Sequence, residues 1–400
     1  MTKNNKKVLS HNAKKNIRRL IELGVLVVLF VTLTLLKNSQ KVCEFFARTF
    51  ARAWILVFGN ALGWIPFSLY ELFLIVVILG GITFVVLEIV LLAKRKWQAL
   101  LTAALVVAFA VFSFLNIYTA SASFTYGRDP LPDEVYSEYS GDDFSLDEAV
   151  ALAEKYITQL NADYAATKHD AEGNVQYPYT LDEMSKLIAN EYTRLQSDYF
   201  SPYTPRGKWI LNKTIMSEMG ITGVFFAPFG EANVNGYETN VYLPHTLAHE
   251  LAHGKGIMRE YEANLLSSYI LLTSDNPYLR YSALVYHIWD VLSIVTSYPN
   301  SLDAYKQLYN QIDQGIWTER TNYFHFYGQF DTLDRMGQFF NDLYLKLNKQ
   351  EEGTGSYYKP GETVDTGETD DDGFEIEYVI NFDGDENLLI KLYKEGKLRV

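Results

Sequence analysis

Three long apolar runs, all within the first 117 residues, constrain this chain more than any other feature of its sequence. About 20 helical residues are needed to cross the hydrocarbon layer of a bilayer, and each run approaches or exceeds that length. They predict membrane-spanning helices at about 20–36, 72–93 and 97–117. No small-residue cleavage site follows the first run, so we interpret it as a retained helix rather than a secretory signal.

Lysine and arginine residues are distributed unevenly around these runs. Ten of them lie before the first span or between the second and third, namely Lys3, Lys6, Lys7, Lys14, Lys15, Arg18, Arg19, Lys94, Arg95 and Lys96. Because positive residues favour the cytoplasmic side, they predict a cytoplasmic amino terminus and place everything after about Tyr118 on the outer face of the cell membrane. The loop 37–71 then lies outside too, and its pattern predicts an amphipathic helix on the membrane surface.

The charge changes sign between the two parts of the chain. Up to residue 96 there are 14 Lys/Arg and four Asp/Glu, whereas the remainder holds 21 and 44. An acidic soluble domain behind a basic membrane anchor argues against nucleic acid as a partner and leaves the lipid bilayer as the predicted one. The single cysteine, Cys43, excludes an intramolecular disulfide and a cysteine-based metal site.

After the anchor, 1–118, the pattern is mainly helical with a few short β-like runs, which predicts an α+β domain over 119–350. Capping boxes, in which a hydroxyl and a carboxylate satisfy free backbone donors, predict helices near 145–166 and 180–198. Short β-like runs separated by Gly/Asn turns predict edge strands beside a cleft, at 223–226 and 237–242.

The carboxyl-terminal part has a different composition. Residues 351–373 are poor in hydrophobic residues and rich in Gly, Thr and acidic residues, which predicts an acidic linker. Beyond it, alternating apolar residues around Asp383–Asn387 predict a terminal β-hairpin over 374–400. We interpret this hairpin as an accessory element.

The segment Pro244–Asn264 carries the predicted chemistry. His249 and His253 are four residues apart, which on a helix stacks both imidazoles on one face at a spacing that a single Zn²⁺ can bridge. Glu250 is rotated by about 100° from His249 and can act as a general base on water without binding the metal. This HExxH pattern predicts a catalytic zinc centre; the alternative is a pair of ordinary helix histidines.

A catalytic zinc needs three protein ligands and one open position. Gly254 and Gly256 break the first helix, and on the helix that follows Glu260 and Asn264 share a face at i,i+4. Glu262 points away from that face by about 160°. Glu260 is therefore the favoured third ligand, and Glu262, which would relax the short connection, is the alternative.

HExxH followed by a second helix with Glu-x-x-Ala-Asn resembles the gluzincin metallopeptidases, notably the CAAX-type prenyl proteases and the heat-shock-type membrane metalloproteases. That resemblance implies that Glu260 binds zinc and that Asn264 takes the place of an aspartate just behind the ligands. More closely, the three spans, the run Phe229–Asn235 and Gly-x-x-Arg-Glu-x-Glu-Ala-Asn resemble an uncharacterised family of bacterial membrane proteins, over roughly 20–350. These resemblances imply a zincin-like fold and a zinc cofactor, but no particular substrate.

The function predicted from these features is that of a membrane-anchored zinc metalloendopeptidase acting on a peptide or protein at the outer face of the membrane. Candidates for the group that stabilises the oxyanion, which the sequence does not rank, are Tyr281, Tyr323, His325 and Tyr327. Two other classes stay open: a membrane sensor or regulator built on the same fold, and a non-catalytic zinc-binding protein. The intact Glu250 counts against the last class, because a purely structural site needs no general base.

Overall fold

The structure, a computed structural model, describes residues 11–237, 240–357, 363–369 and 375–398. The basic residues before position 11 and the acidic residues 370–372 of the predicted linker lie outside these ranges.

The described part is mostly helical, with few strands. Its helices are α1 (His11–Leu36), α2 (Gln40–Phe46), α3 (Arg52–Leu62), α4 (Leu69–Ala93), α5 (Trp97–Ser121), α6 (Leu146–Ala166), α7 (Leu181–Tyr192), α8 (Lys213–Glu218), α9 (Leu243–Gly254), α10 (Glu260–Leu272), α11 (Pro277–Tyr286), α12 (Ile288–Thr296), α13 (Leu302–Gln311), α14 (Gln314–Tyr327), α15 (Asp334–Leu347) and α16 (Gly384–Lys394). Its strands are β1 (Gly207–Trp209), β2 (Gly223–Phe226), β3 (Glu231–Val234), β4 (Thr363–Thr369) and β5 (Glu375–Ile380).

Three of these helices contain segments long and apolar enough to cross a membrane: Lys14–Leu36, Leu69–Ala93 and Trp97–Ser121. They contain the three predicted spans and extend each by a few residues, so the prediction of a multi-pass transmembrane protein is confirmed. Helix α1 packs along α5, and the Asn16 side chain donates a hydrogen bond to the main-chain oxygen of Gln98 (3.4 Å). Lys14, Lys15, Arg18 and Arg19 therefore lie at the same end of the spans as Lys94 to Lys96.

Between the first two spans, α2, a π-helical stretch (Ala47–Ala51) and α3 form a continuous helical segment, which we call the connecting helix (Gln40–Leu62). Its buried residues recur every four positions and are mostly small: Cys43, Ala47, Ala51, Ile55 and Gly59. The amphipathic pattern is as predicted, but the helix packs on the part of the chain after the third span as well as along the spans. Arg52 donates to the main-chain oxygen of Tyr199 (2.6 Å), and the indole of Trp54 donates to that of Pro228 (3.1 Å).

The part of the chain after the spans holds a small three-stranded sheet in the order β1-β3-β2, in which β1 runs parallel to β3 and β2 antiparallel to it. The predicted strand at 223–226 is β2. The one predicted at 237–242 is wrong for the described residues there, since Tyr237 and 240–242 are not in a strand. The reason is local: Asn240 turns the chain into α9, its side chain accepting a hydrogen bond from the Tyr242 N–H (3.1 Å).

The predicted helices after the spans are α6 and α7, and both begin with the expected capping boxes, at Ser145 and Thr180. Helix α7 ends at Tyr192 rather than near 198. The main hydrophobic core gathers side chains from α6, α7, α9 to α12 and α16. It supports α9 from several sides, and α9 is the helix that carries the HExxH pattern.

The prediction for the carboxyl-terminal part is wrong in its details. Residues 384–394 form helix α16, because Asp383 and Glu386 make a capping box where the sequence was taken for a hairpin turn. Strand β5 pairs instead with β4, which lies in the predicted linker together with a 3₁₀ helix, Gly353–Tyr357. The apolar side chains of α16 belong to the main core, so this region is an integral part of the domain rather than an accessory element.

Candidate metal centre

Helix α9 is buried on almost every side. Of its residues only Thr246 is partly exposed, because α9 packs against α7, α10, α11 and the sheet. The helix ends at Gly254, and Gly256 adopts φ +90°, a left-handed conformation that favours glycine. This turn reverses the chain within a few residues and brings the start of α10 back onto the middle of α9.

The reversal places Glu260 beside both histidines of the HExxH pattern. Its Oε2 atom lies 3.1 Å from Nε2 of His249 and 3.5 Å from Nε2 of His253. One ligand atom from each of the three residues lies within 4.8 Å of the others, and all three residues are buried. This spacing is suited to a metal ion, so His249, His253 and Glu260 form a possible metal-binding group.

The hydrogen bonds behind the two histidines fix which ring nitrogen faces this group. Nδ1 of His253 lies 2.7 Å from the main-chain oxygen of Ile257, which can only accept. Nδ1 of His249 lies 2.7 Å from Oδ1 of Asn264, whose amide nitrogen donates to the main-chain oxygen of Tyr357 (3.2 Å). Both Nδ1 atoms therefore carry hydrogen, and in the neutral rings both Nε2 lone pairs point at the Glu260 carboxylate.

Two lone pairs and a carboxylate oxygen at such distances repel one another unless a cation lies between them. In the metal-free protein a proton takes that role. Burial lowers the pKa of His253, but the charge of Glu260 outweighs it and raises that pKa to about 9. Burial likewise raises the pKa of Glu260, yet the two histidines together bring it down to about 2. A metal ion would replace the proton in the same electrostatic role.

Glu250 lies next to this group without belonging to it. Its Oε2 atom is buried and has no hydrogen-bond partner among the described residues. On the other side of the carboxyl group is Gly223 of β2: a Cβ atom added there would lie 2.3 Å from Oε1. Burial raises the pKa of Glu250 to about 7, with the neighbouring histidines opposing that effect. Glu250 is therefore a confined carboxyl group whose free oxygen can take or give a proton.

Glu262, the alternative third ligand, points away from the two histidines. Both of its oxygens pair with Arg259, at 2.7 and 2.9 Å, and it also accepts the Leu131 N–H at 3.3 Å. Asn264 lies directly behind His249, with its Oδ1 atom 2.7 Å from Nδ1 of that ring.

Three tyrosines near the group were not predicted from the sequence. The ring of Tyr357, in the 3₁₀ helix, stacks at 6.5 Å from the ring of His249. The hydroxyl groups of Tyr126 and Tyr344 lie 2.8 Å apart. Burial raises the pKa of all three, and the charge of Glu260 adds to that effect. They approach from segments far along the chain, so the only signal in the sequence was their aromatic character.

The candidate oxyanion donors from the sequence have other partners. The Tyr281 hydroxyl donates to Glu319 (2.6 Å), and Tyr323 packs edge-on against Tyr242 (4.6 Å between ring centres). His325 is exposed on α14, and Tyr327 packs against Tyr323 (4.5 Å between ring centres). Among the described residues, no hydrogen bond or ring contact joins any of these four to the metal-binding group.

His245, one turn before His249, lies in the core rather than in solvent. Its ring stacks on Tyr286 at 3.9 Å, and Nε2 lies 3.0 Å from the hydroxyl of Ser268. The same hydroxyl lies 2.6 Å from Nε2 of His287, whose Nδ1 lies 2.7 Å from Asp290. His245, Ser268 and His287 are all buried, and their hydrogen bonds link α9 and α10 to the start of α12.

Comparison with known proteins identifies one family. Residues 46–360 match the family model described as "Protein of unknown function (DUF3810)", and the chain belongs to this family. No curated protein and no solved structure matches the chain.

Proposed function

We propose that this member of the DUF3810 family is a membrane-anchored zinc metallopeptidase of zincin-like fold. The observation that carries the proposal is the convergence of His249, His253 and Glu260, with both Nε2 lone pairs directed at one carboxylate oxygen. Two imidazoles and one carboxylate are a ligand set of catalytic zinc sites, which leave the fourth position open. The buried Oε2 of Glu250 beside them fits such a centre, since it has no hydrogen-bond partner in the part of the chain that the structure describes.

The roles of the protein groups follow from their positions. Zinc, when bound, would supply a Lewis acid that activates water and polarises the scissile carbonyl. Glu250 accepts a proton from the attacking water and returns it to the leaving amine, which a carboxyl group with a pKa near neutrality can do in both directions. Asn264 and the main-chain oxygen of Ile257 hold the two imidazole rings in the tautomer that presents Nε2.

Strand β2 is the best place for an extended peptide substrate. It is an edge strand, since within the described residues it pairs only with β3. Its first residue, Gly223, touches Glu250, and the ring of Phe225 lies 5.9 Å from that of His253. Main-chain pairing along a sheet edge binds a peptide with little demand on its sequence.

The distribution of charge supports an outward-facing site. The basic residues Lys14 to Arg19 and Lys94 to Lys96 lie at one end of the three spans, and the soluble domain lies at the other. Positive residues favour the cytoplasmic side. We therefore propose an extracytoplasmic metal centre, close to where the spans leave the bilayer.

The test is metal content and peptide hydrolysis of the full-length protein purified in detergent. We expect about one zinc per chain in the wild type and in the control variant Glu262→Gln, and a large loss in Glu260→Gln. Glu250→Gln should keep its zinc and lose hydrolysis of a mixed fluorogenic peptide set by about 10²–10⁴-fold.

Absence of zinc in the wild type after incubation with the metal would overturn the proposal. If zinc binds but neither the wild type nor any variant hydrolyses peptides, the non-catalytic alternatives, a zinc-binding sensor or a structural zinc protein, would take its place.

A further inference from the structure

Helix α15 exposes an apolar stripe to its surroundings. Five exposed residues at helical spacing lie within about 100° of arc: Met336 (42%), Phe339 (63%), Phe340 (53%), Leu343 (46%) and Leu347 (70%). A second face is polar and exposed, and it includes Arg335, Gln338 and Lys346. A third face packs on the protein through Gly337 and Leu345. A soluble domain rarely leaves such a stripe uncovered.

The carboxyl-terminal end of α15 is fixed where two spans end. The Lys349 ammonium group donates to the main-chain oxygen of Lys37 (3.0 Å) and to the side chain of Asn38 (2.9 Å), directly after α1. The Ser123 hydroxyl, directly after α5, donates to Asn348 (3.0 Å). This end of α15 therefore lies at the level where the chain leaves the bilayer.

The other end of α15 reaches the second span, α4, through α8. Gly337 packs closely on the main-chain oxygen of Met219, which follows α8. The two residues before α8, Leu211 and Asn212, donate their N–H groups to Glu71 in the first turn of α4. Helix α15 thus runs across the domain-side ends of the spans rather than away from them.

We propose that α15 is an interfacial membrane helix whose apolar stripe is inserted among the lipids of the leaflet on the domain side. The neighbouring spans also leave their side chains uncovered by protein, because the windows that identify the three spans are only 6%, 0% and 11% buried. The flanking polar face carries Arg335 and Lys346, the latter paired with Asp342 (2.6 Å), and the phosphates of lipid headgroups attract such positive charge. Amphipathic helices of this kind lie in the headgroup region with their apolar face buried by about 5–10 Å.

In this position α15 connects the lipid surface to the metal-binding group through direct side-chain and main-chain contacts. The 3₁₀ helix that carries Tyr357 packs on α15, and its Thr354 N–H donates to Asp342 (3.1 Å). The Tyr344 hydroxyl, also from α15, meets that of Tyr126. The segment that covers His249 therefore rests on a helix that the bilayer holds in position. Insertion of α15 into lipid requires no peptidase activity.

The experiment places a fluorescent label on α15 of the full-length protein in phosphatidylcholine/phosphatidylglycerol nanodiscs. In a Cys43→Ala background, single cysteines are introduced as Phe339→Cys, Leu343→Cys and Met336→Cys on the stripe, with Gln338→Cys as the matched control. Each is labelled with an environment-sensitive dye and checked for an unchanged melting temperature. We expect lipids that carry a spin label near the headgroup to quench the stripe positions at least threefold more than Gln338→Cys. Aqueous iodide should show the reverse order.

Equal quenching by iodide at stripe and control positions would overturn the proposal. Cross-linking between two copies of the chain through Phe339→Cys or Leu343→Cys, without lipid quenching, would also overturn it and assign the stripe to a dimer. If one stripe variant fails to fold, the other two still decide between these outcomes.

Discussion

Substituting Gly223 by alanine tests whether the position of Glu250 matters for hydrolysis. A Cβ atom at this position would lie 2.3 Å from Oε1 of Glu250 and 2.8 Å from its Cγ and Cδ, whereas ordinary contact begins near 3.4 Å. The carboxyl group must therefore withdraw by about 1 Å. A displacement of that size in a reacting group costs about 10²-fold in rate, or about 2.7 kcal/mol in activation free energy.

The fold should tolerate this change. Gly223 does not adopt a positive φ, so alanine fits the strand conformation. We expect unchanged zinc content and melting temperature, together with about a hundredfold lower kcat/KM on fluorogenic peptides. Gly355→Ala is the matched control, because its Cβ would meet Glu352 only at an ordinary 3.4 Å. Turnover of Gly223→Ala within threefold of the wild type, with Glu250→Gln inactive, would refute the reasoning.

Two further predictions concern buried polar groups. Asn264→Leu removes the hydrogen-bond acceptor that orients His249, so it should weaken zinc binding by about 10–100-fold in chelator competition. Asn264→Asp keeps an acceptor and should not weaken zinc binding. Equal zinc affinities in the wild type and both variants would contradict this role of Asn264. Burial raises the pKa of Glu319 to about 7 from an ordinary 4.5. The folded protein therefore binds this proton more tightly than the unfolded chain, which adds about 3 kcal/mol to the free energy of unfolding below about pH 4.5. This contribution is lost as the pH rises to 7. Denaturant unfolding of the metal-free protein should therefore depend less on pH between 5 and 7 in Glu319→Gln, and an unchanged slope would contradict the assignment.

The faces on which the metal-binding side chains lie could be predicted, because helix geometry alone determines which residues of one helix share a face. The spacing of His249 and His253 places both rings on one face of α9, and the same rule separates Glu260 from Glu262 on α10. The packing of α10 against α9 could not be derived from spacing. It depends on the left-handed turn at Gly256.

The sequence was less informative where one short pattern fits two structures. The run that begins at Asp383 is a plausible hairpin turn and an equally plausible capping box, and the burial of Leu388 and Leu392 in the main core decides for the helix. Tyr344 and Tyr357 reach the metal-binding group from about 90 residues along the chain. No local pattern carries information on such contacts.

The connecting helix (Gln40–Leu62) also has a consequence for how the protein is made. Arg52 and Trp54 bond to residues that are synthesised 147 and 174 positions later. At about 5–20 residues per second, the ribosome delivers these partners roughly 7 to 35 seconds after the helix itself. During that interval we expect the apolar face of the helix to lie on the bilayer surface, and to leave it for the protein when these partners have been synthesised. A truncated chain that starts after the third span lacks this helix.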